Sequence, residues 1–256
     1  MPVLAAAAPQ SAATAPGPRA LQVGGLTPFS TVDYPGQIAA VVFVQGCPWR
    51  CAYCHNPQLQ CRDAVPASGE GAIRWSDLRP WFARRVGLLD AVVFSGGEPT
   101  IDPGLAAAMD EVRSLGFRIG LHTAGMAPRR LQQLLPRLDW VGLDIKAPLA
   151  CSDIHDRITG RRGGAPAVRQ SLALLRASGV DFECRTTVHP MLLDDAALCA
   201  LADELAAAGV RRWAVQQFRT TGCGSPLPPV GQGYPSPATL LRVRGLIEHV
   251  EWRGPA

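Results

Sequence analysis

No apolar run in this 256-residue chain approaches the length of a membrane-spanning helix. Lysine is nearly absent and arginine carries the positive charge, for a net charge of +4. That is a weak basic bias without a patch, so neither a nucleic-acid partner nor a membrane is expected. The first twenty or so residues, Met1 to about Ala20, lack both periodicity and an early positive charge. Rich in alanine and proline, they are expected to form a disordered tail rather than a signal or transit peptide. Repeats and a second domain are also missing, so residues 21–256 are expected to form one domain. What the chain does have is an apolar fraction of 47%, ample for a core, and eight cysteines. Without a secretion signal, that many thiols suggest a reducing compartment, the cytoplasm. Cys151, Cys184 and Cys199 sit in mixed segments and read as small core or surface residues.

The densest feature is Cys47-Pro48-Trp49-Arg50-Cys51-Ala52-Tyr53-Cys54, with cysteines spaced four and then three apart. Three thiolates this close can hold three corners of an iron–sulfur cube and leave the fourth iron open to chemistry. Other readings compete for the same residues. Cys51 to His55 also fits a c-type haem attachment pattern, which needs export. A structural zinc site normally closes with four ligands from two separated pairs. A thioredoxin-like pair would leave Cys47 unused. A closed cluster, which would only carry electrons, would take Cys61 as its fourth ligand. Cys223 receives no role from the sequence.

Short apolar runs alternate with amphipathic stretches. Strands are expected at Ile38–Val44, Ala91–Phe94, Arg118–Leu121, Trp140–Ile145, Phe182–Val188 and Trp213–Gln217. Their valine, leucine and isoleucine content suits strands buried on both faces of a parallel sheet. Helices are expected at Trp75–Arg85, Pro103–Leu115, Pro128–Leu135, Pro166–Ser178, Asp194–Ala208 and Ala238–Val250. Pro103, Pro128 and Pro166 suit first-turn positions, Asp102 and Asp194 suit caps, and Gly116, Gly179 and Gly209 suit left-handed stops. The rhythm implies an α/β fold with parallel strands and right-handed crossovers, and six strands are too few to close an eight-strand barrel.

The cysteine spacing, with an aromatic residue before the last cysteine, resembles the signature of the radical S-adenosylmethionine (SAM) superfamily. Ser30-Thr31-Val32-Asp33-Tyr34-Pro35-Gly36 and His55-Asn56-Pro57 narrow the resemblance to the activating enzymes of glycyl-radical enzymes. Phe94 to Thr100 (FSGGEPT), Leu121 to Gly125 (LHTAG) and Gly142 to Pro148 (GLDIKAP) follow in that family's order. Within it, the chain is similar to the group that activates anaerobic ribonucleoside-triphosphate reductases. The resemblance runs from about Gly25 to Cys223 and implies an open, partial (β/α)6 barrel.

It also implies one 4Fe–4S cluster held by Cys47, Cys51 and Cys54, with SAM chelated to the open iron. One electron then cleaves SAM to methionine and a 5′-deoxyadenosyl radical, which takes hydrogen from a glycine of the partner enzyme. A low-potential donor such as flavodoxin or ferredoxin would supply the electron. The rivals are a radical SAM enzyme acting on a small molecule, like a carboxy-deazaguanine synthase, and the closed-cluster electron carrier.

In parallel α/β folds ligands sit at the carboxyl ends of the strands, where each of these motifs falls. By resemblance, Ser95, Gly96, Gly97 and Glu98 meet the methionine part of SAM and Tyr53 lies near its adenine; Thr123 falls at the third strand's end. Gly96 and Gly97 would let backbone approach a ligand. Lys146, at a buried strand end, needs an anion: a carboxylate of SAM, or Asp144, which is expected on the opposite strand face. In the family an aspartate often stands where His122 is and an asparagine where Ala124 is, so His122 reads as structural or as a neighbour of the site. His189 would reach SAM or a peptide, or be satisfied within the fold. Arg185 would meet a peptide substrate, or pair with Asp181 or Glu183.

Overall fold

The structure is a computed structural model describing residues 20–64 and 73–254. The expected tail, but for Ala20, lies outside them. The sheet has eight strands in sequence order. These are β1 (Val23–Ser30), β2 (Ala39–Val44), β3 (Ala91–Gly96), β4 (Arg118–Thr123), β5 (Trp140–Asp144), β6 (Asp181–Val188), β7 (Arg212–Gln217) and β8 (His249–Arg253). Strand β1 is antiparallel to β2, and every later pairing is parallel. β1 and β8 are the sheet's two ends and do not pair with each other, so the barrel is open. Among the described residues seven α-helices accompany the strands: α1 (Trp75–Ala83), α2 (Leu105–Ser114), α3 (Pro128–Leu134), α4 (Ser152–Thr159), α5 (Ala165–Ser178), α6 (Asp195–Ala207) and α7 (Pro237–Leu246). None is long and apolar enough to cross a membrane.

All six expected strands form, because their residues are buried on both faces. Ala40, Val42, Val44, Val92, Phe94, Ile119, Leu121, Val141 and Leu143 belong to the large core shared with the helices. Ala39, Val41, Ala91 and Val93 turn the other way, into a small cluster with Tyr34 and Trp140. Tyr34 and Trp140 stack at 5.0 Å and fill the floor of the barrel. A Cβ on Gly120 would lie 2.9 Å from Val93 and 3.1 Å from Tyr34, so this floor is packed too tightly for a side chain there.

Three elements were not expected: β1, β8 and α4. The final helix stops at Leu246 and the chain continues as β8, rather than staying helical to Val250. Gly116, Gly179 and Gly209 have φ of 95°, 77° and 69°, the left-handed stops expected of them. Asp194 accepts a hydrogen bond from the Ala197 amide at 2.8 Å and caps α6. Asp102 differs: it accepts from the Gly104 amide at 2.7 Å, and α2 begins only at Leu105, leaving Pro103 outside the helix.

Candidate active site

The cysteine loop leaves the end of β2 and is fixed by backbone from three directions. At its base, the Gly46 and Cys47 amides donate to the carbonyls of Leu59 (2.8 Å) and Gln60 (3.0 Å). On one flank, the amides of Arg50 and Ala52 donate to the carbonyls of Thr159 (2.9 Å) and Ile158 (2.8 Å), the last turn of α4. On the other, the Glu98 amide donates to the Gly46 carbonyl at 2.9 Å. Helix α4 thus directs carbonyls left free at its C-terminus onto the loop.

Cys47, Cys51, Cys54, Tyr53, Ser95, Gly96, Gly97, Thr123, Asp144 and Lys146 all line one pocket at the carboxyl ends of β2 to β5. Ten of the sequence-derived site residues therefore converge. Among the described residues no three His, Cys, Asp or Glu side chains are grouped to hold a single metal ion. The thiols instead share a pocket wall, as suits a cluster in which each takes a different iron. Burial pushes the Cys47 thiol up to about 12 and also raises Cys51, with the Lys146 charge opposing the rise at Cys51. Binding iron here means releasing protons.

The ammonium of Lys146, the only lysine in the chain, lies 3.1 Å from an Asp144 carboxylate oxygen and 5.6 Å from the centre of the Tyr53 ring. Burial, the largest single influence, would lower its pKa, but Asp144, Tyr53 and Cys51 together outweigh it and hold it well above the usual range. Residues two apart in a strand share a face, so the expectation that Asp144 points away was wrong. The Tyr53 hydroxyl is buried with no partner among the described residues, and burial raises its pKa. Thiols, an ammonium and an unpaired hydroxyl in one pocket fit an iron–sulfur cluster and a polar ligand beside it.

At the glycine turn, Glu98, His189 and Arg185 the structure shows contacts within the fold, and for His189 and Arg185 these are among the readings the sequence left open. A Cβ at Gly97 would lie 2.3 Å from the Gly46 carbonyl oxygen, and one at Gly96 2.4 Å from the Val44 nitrogen. The missing side chains let the β3 turn close against the cysteine loop while both glycines line the pocket. Glu98 does not line the pocket. Its fully buried carboxylate accepts from the Thr100 hydroxyl (2.5 Å) and amide (3.2 Å), the Thr123 hydroxyl (2.6 Å) and the Ala124 amide (2.9 Å). Burial raises its pKa while these donors oppose the rise. His189 is also outside the pocket: it accepts from the Met191 amide at 3.2 Å, and its other nitrogen meets the Pro228 carbonyl at 2.9 Å. Arg185 is buried, 2.6 Å from Glu183 and 2.8 Å from His122, with its guanidinium 4.9 Å from the Trp140 ring centre. It is held within the barrel and lines a neighbouring cavity.

Sequence reasoning missed Trp49, Asn56, Gln60 and Thr187 as pocket residues. Asn56 carried a signal in the His55-Asn56-Pro57 motif, and Thr187 in its alternation with Arg185; Trp49 and Gln60 carried none. His122 also lines the pocket, with Ser95 Oγ 3.1 Å from one ring nitrogen and the Asp33 carbonyl 2.8 Å from the other. Burial and then the Arg185 charge push its pKa well below the usual value, keeping the ring neutral. Cys61 is exposed and outside the pocket, and Cys223 packs at the margin of the large core.

The cysteine loop, the glycine turn of β3 and the strand-end lysine all lie within a match to the Radical SAM superfamily over residues 41–203, and the chain belongs to that superfamily. Its members use a 4Fe–4S cluster and SAM. The chain is 27% identical over 206 residues to a protein described as a glycyl-radical enzyme activating enzyme in Methanocaldococcus jannaschii, covering 77% of this chain and 79% of that one. It is 31% identical over 181 residues to a pyruvate formate-lyase-activating enzyme of Clostridium pasteurianum, covering 68% and 71%. Its fold resembles that of SuiB from Streptococcus suis bound to precursor peptide SuiA, with a TM-score of 0.64 at 12% identity over 84% of this chain. The present chain spans 48% of that protein's length.

Proposed function

We propose that this protein is a radical SAM activase that generates a glycyl radical on an anaerobic ribonucleotide reductase. The observation that carries the reading is the meeting of three loop thiols, Lys146 and an unpartnered Tyr53 hydroxyl in one pocket of an open barrel. Cys47, Cys51 and Cys54 hold the cluster. When bound, the cluster and SAM together supply one-electron cleavage to methionine and a 5′-deoxyadenosyl radical, the chemistry proper to the cofactors. The protein binds and orients. Lys146 offers an ammonium to the carboxylate of SAM, and Asp144 fixes where that ammonium sits. Tyr53 offers its hydroxyl and excludes water from the pocket floor. Glu98 acts at one remove, holding the Thr123–Ala124 turn in place.

The partner supports itself on two further features. The Ser30–Gly36 segment and His55-Asn56-Pro57 resemble the activase group, and relatives with that description align over most of the chain. A second cavity, lined by Asp33, Thr187 and Gln217, adjoins the first and shares His55 and Thr187 with it. It gives a polypeptide segment carrying the glycine a polar route to the pocket. A low-potential carrier provides the electron, and eight free thiols suit a reducing cytoplasm.

The test is anaerobic incubation with SAM, dithionite and an anaerobic ribonucleotide reductase. A doublet glycyl-radical signal should appear by electron paramagnetic resonance and collapse when the reductase glycine is α-deuterated. SAM cleavage without any glycyl radical on such enzymes, with a small metabolite consumed instead, would overturn the reading.

A further inference from the structure

His122, near the end of β4, lines the pocket but stands apart from the groups assigned to the cluster and SAM. Its ring is packed inside the barrel against Gly142 of β5. A Cβ there would lie 3.0 Å from His122 Cδ2 and 3.0 Å from the Arg185 guanidinium carbon. Trp140 meets the ring edge-on at 5.6 Å. The imidazole is thus fixed in place, and what faces each nitrogen decides which one carries hydrogen.

Nδ1 lies 3.1 Å from Ser95 Oγ and 4.0 Å from an Asp33 carboxylate oxygen. Nε2 lies 2.8 Å from the Asp33 carbonyl and 2.8 Å from Arg185 Nη1. Burial and Arg185 keep the ring neutral, so one nitrogen has a hydrogen and the other a lone pair. The two neighbours of Nε2 make opposite demands. The carbonyl needs a hydrogen there, whereas the guanidinium, which only donates, needs a lone pair. Three things favour the guanidinium. A hydrogen bond from a charged donor is roughly twice as strong as one between neutral groups. The Asp33 carbonyl has a second donor in Arg185 Nη2, at 3.3 Å. The positive charge beside Nε2 and the carboxylate 4.0 Å from Nδ1 both draw the hydrogen to Nδ1.

Ser95 Oγ then accepts from Nδ1–H, and His122 is its one side-chain partner among the described residues. A hydroxyl has a single hydrogen, and here the ring does not take it. We propose that His122 is a positioning residue: as the Nδ1–H tautomer it turns the Ser95 hydroxyl hydrogen into the pocket, as a donor to the carboxylate of bound SAM. The proposal rests on the reading of this pocket as a SAM site. With the other tautomer, Ser95 would donate to Nδ1 and show the ligand only lone pairs, which repel a carboxylate. Arg185 acts one step further back, by fixing the tautomer.

Nitrogen NMR of the histidine side chains in the metal-free protein at neutral pH reads the tautomer directly. The His122 signals, identified by their loss in His122→Asn, should show hydrogen on Nδ1 and none on Nε2. Hydrogen on Nε2 would overturn the proposal. The second measurement is anaerobic SAM binding to the cluster-loaded protein. Asparagine can set its NH2 group where Nδ1 stands, and glutamine can set its own near Nε2. His122→Gln should therefore bind SAM about five- to tenfold more weakly than His122→Asn, and Ser95→Ala should lose a similar factor against wild type. In the Ser95→Ala background the asparagine and glutamine variants should bind alike. A glutamine variant that equals the asparagine one, or a gap between them that persists without the Ser95 hydroxyl, would show that His122 does not act through Ser95. The NMR measurement needs neither cluster nor SAM. Wild-type protein that holds a cluster yet binds no SAM would sink the SAM-site reading and the proposed ligand with it, a result distinct from the wrong tautomer.

Discussion

Two buried charges at the site serve different ends, and single substitutions separate them. Lys146→Met removes an ammonium whose protein counter-ion, Asp144, is partly exposed and can be solvated. The fold should survive while SAM binding to the cluster-loaded protein weakens by about 1.5–3 kcal/mol, the range for a hydrogen bond to a charged group. Anaerobic equilibrium binding with an intact cluster reads this directly; unchanged affinity would move the SAM carboxylate elsewhere. Glu98→Gln should act on stability instead. All four hydrogen bonds at Glu98 point toward its carboxylate. An amide in its place turns its NH2 group toward one backbone N–H in either orientation, leaving a buried donor unpaired. A loss of about 1–3 kcal/mol is expected in chemical denaturation of the metal-free protein. The sequence made both residues visible but not their division of labour. Lys146 could be read from its isolation at a strand end. Glu98 could not, because the donors that claim it include two from the end of β4, twenty-five and twenty-six residues away in the chain.

Among the elements, β2 to β7 were legible because burial on both faces writes short apolar runs, broken in β6 by Glu183, Arg185 and two threonines. The sheet's two edges were not. β1 carries Gly24, Gly25 and Pro28, which locally argue for a loop, and β8 mixes charge with half-buried residues. Helix α4 is short and polar, yet its Ile158 and Thr159 carbonyls hold the cysteine loop from outside. Its one written signal was Gly160, a left-handed stop with φ of 64° like those of the longer helices. Gly160→Val tests this element. A left-handed conformation costs an L-residue roughly 1–2 kcal/mol, and the added Cβ would lie 2.8 Å from the Arg50 oxygen. The variant should unfold at lower denaturant concentration and assemble less cluster per chain, measured as bound iron after reconstitution. Normal iron content would show that α4 does not position the loop.

For the whole molecule, the floor of the barrel sets a pH limit. His122 sits edge-on to Trp140 at 5.6 Å, beside Arg185, in a space with no room for a second cation. Its folded pKa is depressed well below the ordinary 6.5, by burial first and by Arg185 second. The unfolded chain therefore binds this proton at a higher pH than the folded one. Stability is full above 6.5 and falls as pH drops below it, toward the folded pKa, by up to about 1.4 kcal/mol per pH unit. His155, depressed for the same first reason, adds to the effect. Denaturation curves of the metal-free protein between pH 7.5 and 5 should show this slope, and His122→Gln should flatten it; an equal slope in the variant would assign the acid sensitivity elsewhere.

Leaving the barrel unclosed has a cost in the company of other copies. Two strand edges stay unpaired, and an unpaired edge is a template for any extended chain that meets it. Here each edge carries its own guard. Pro28 denies β1 one donor and the paired glycines weaken its ladder, while His249, Glu251 and Arg253 recur at alternate positions along β8. Replacing Pro28 and Glu251 together with valine should promote strand-mediated self-association relative to wild type, seen as concentration-dependent growth in light scattering. The gap between β1 and β8 is thus kept, by a proline and a line of charges, from being filled by the protein's own kind.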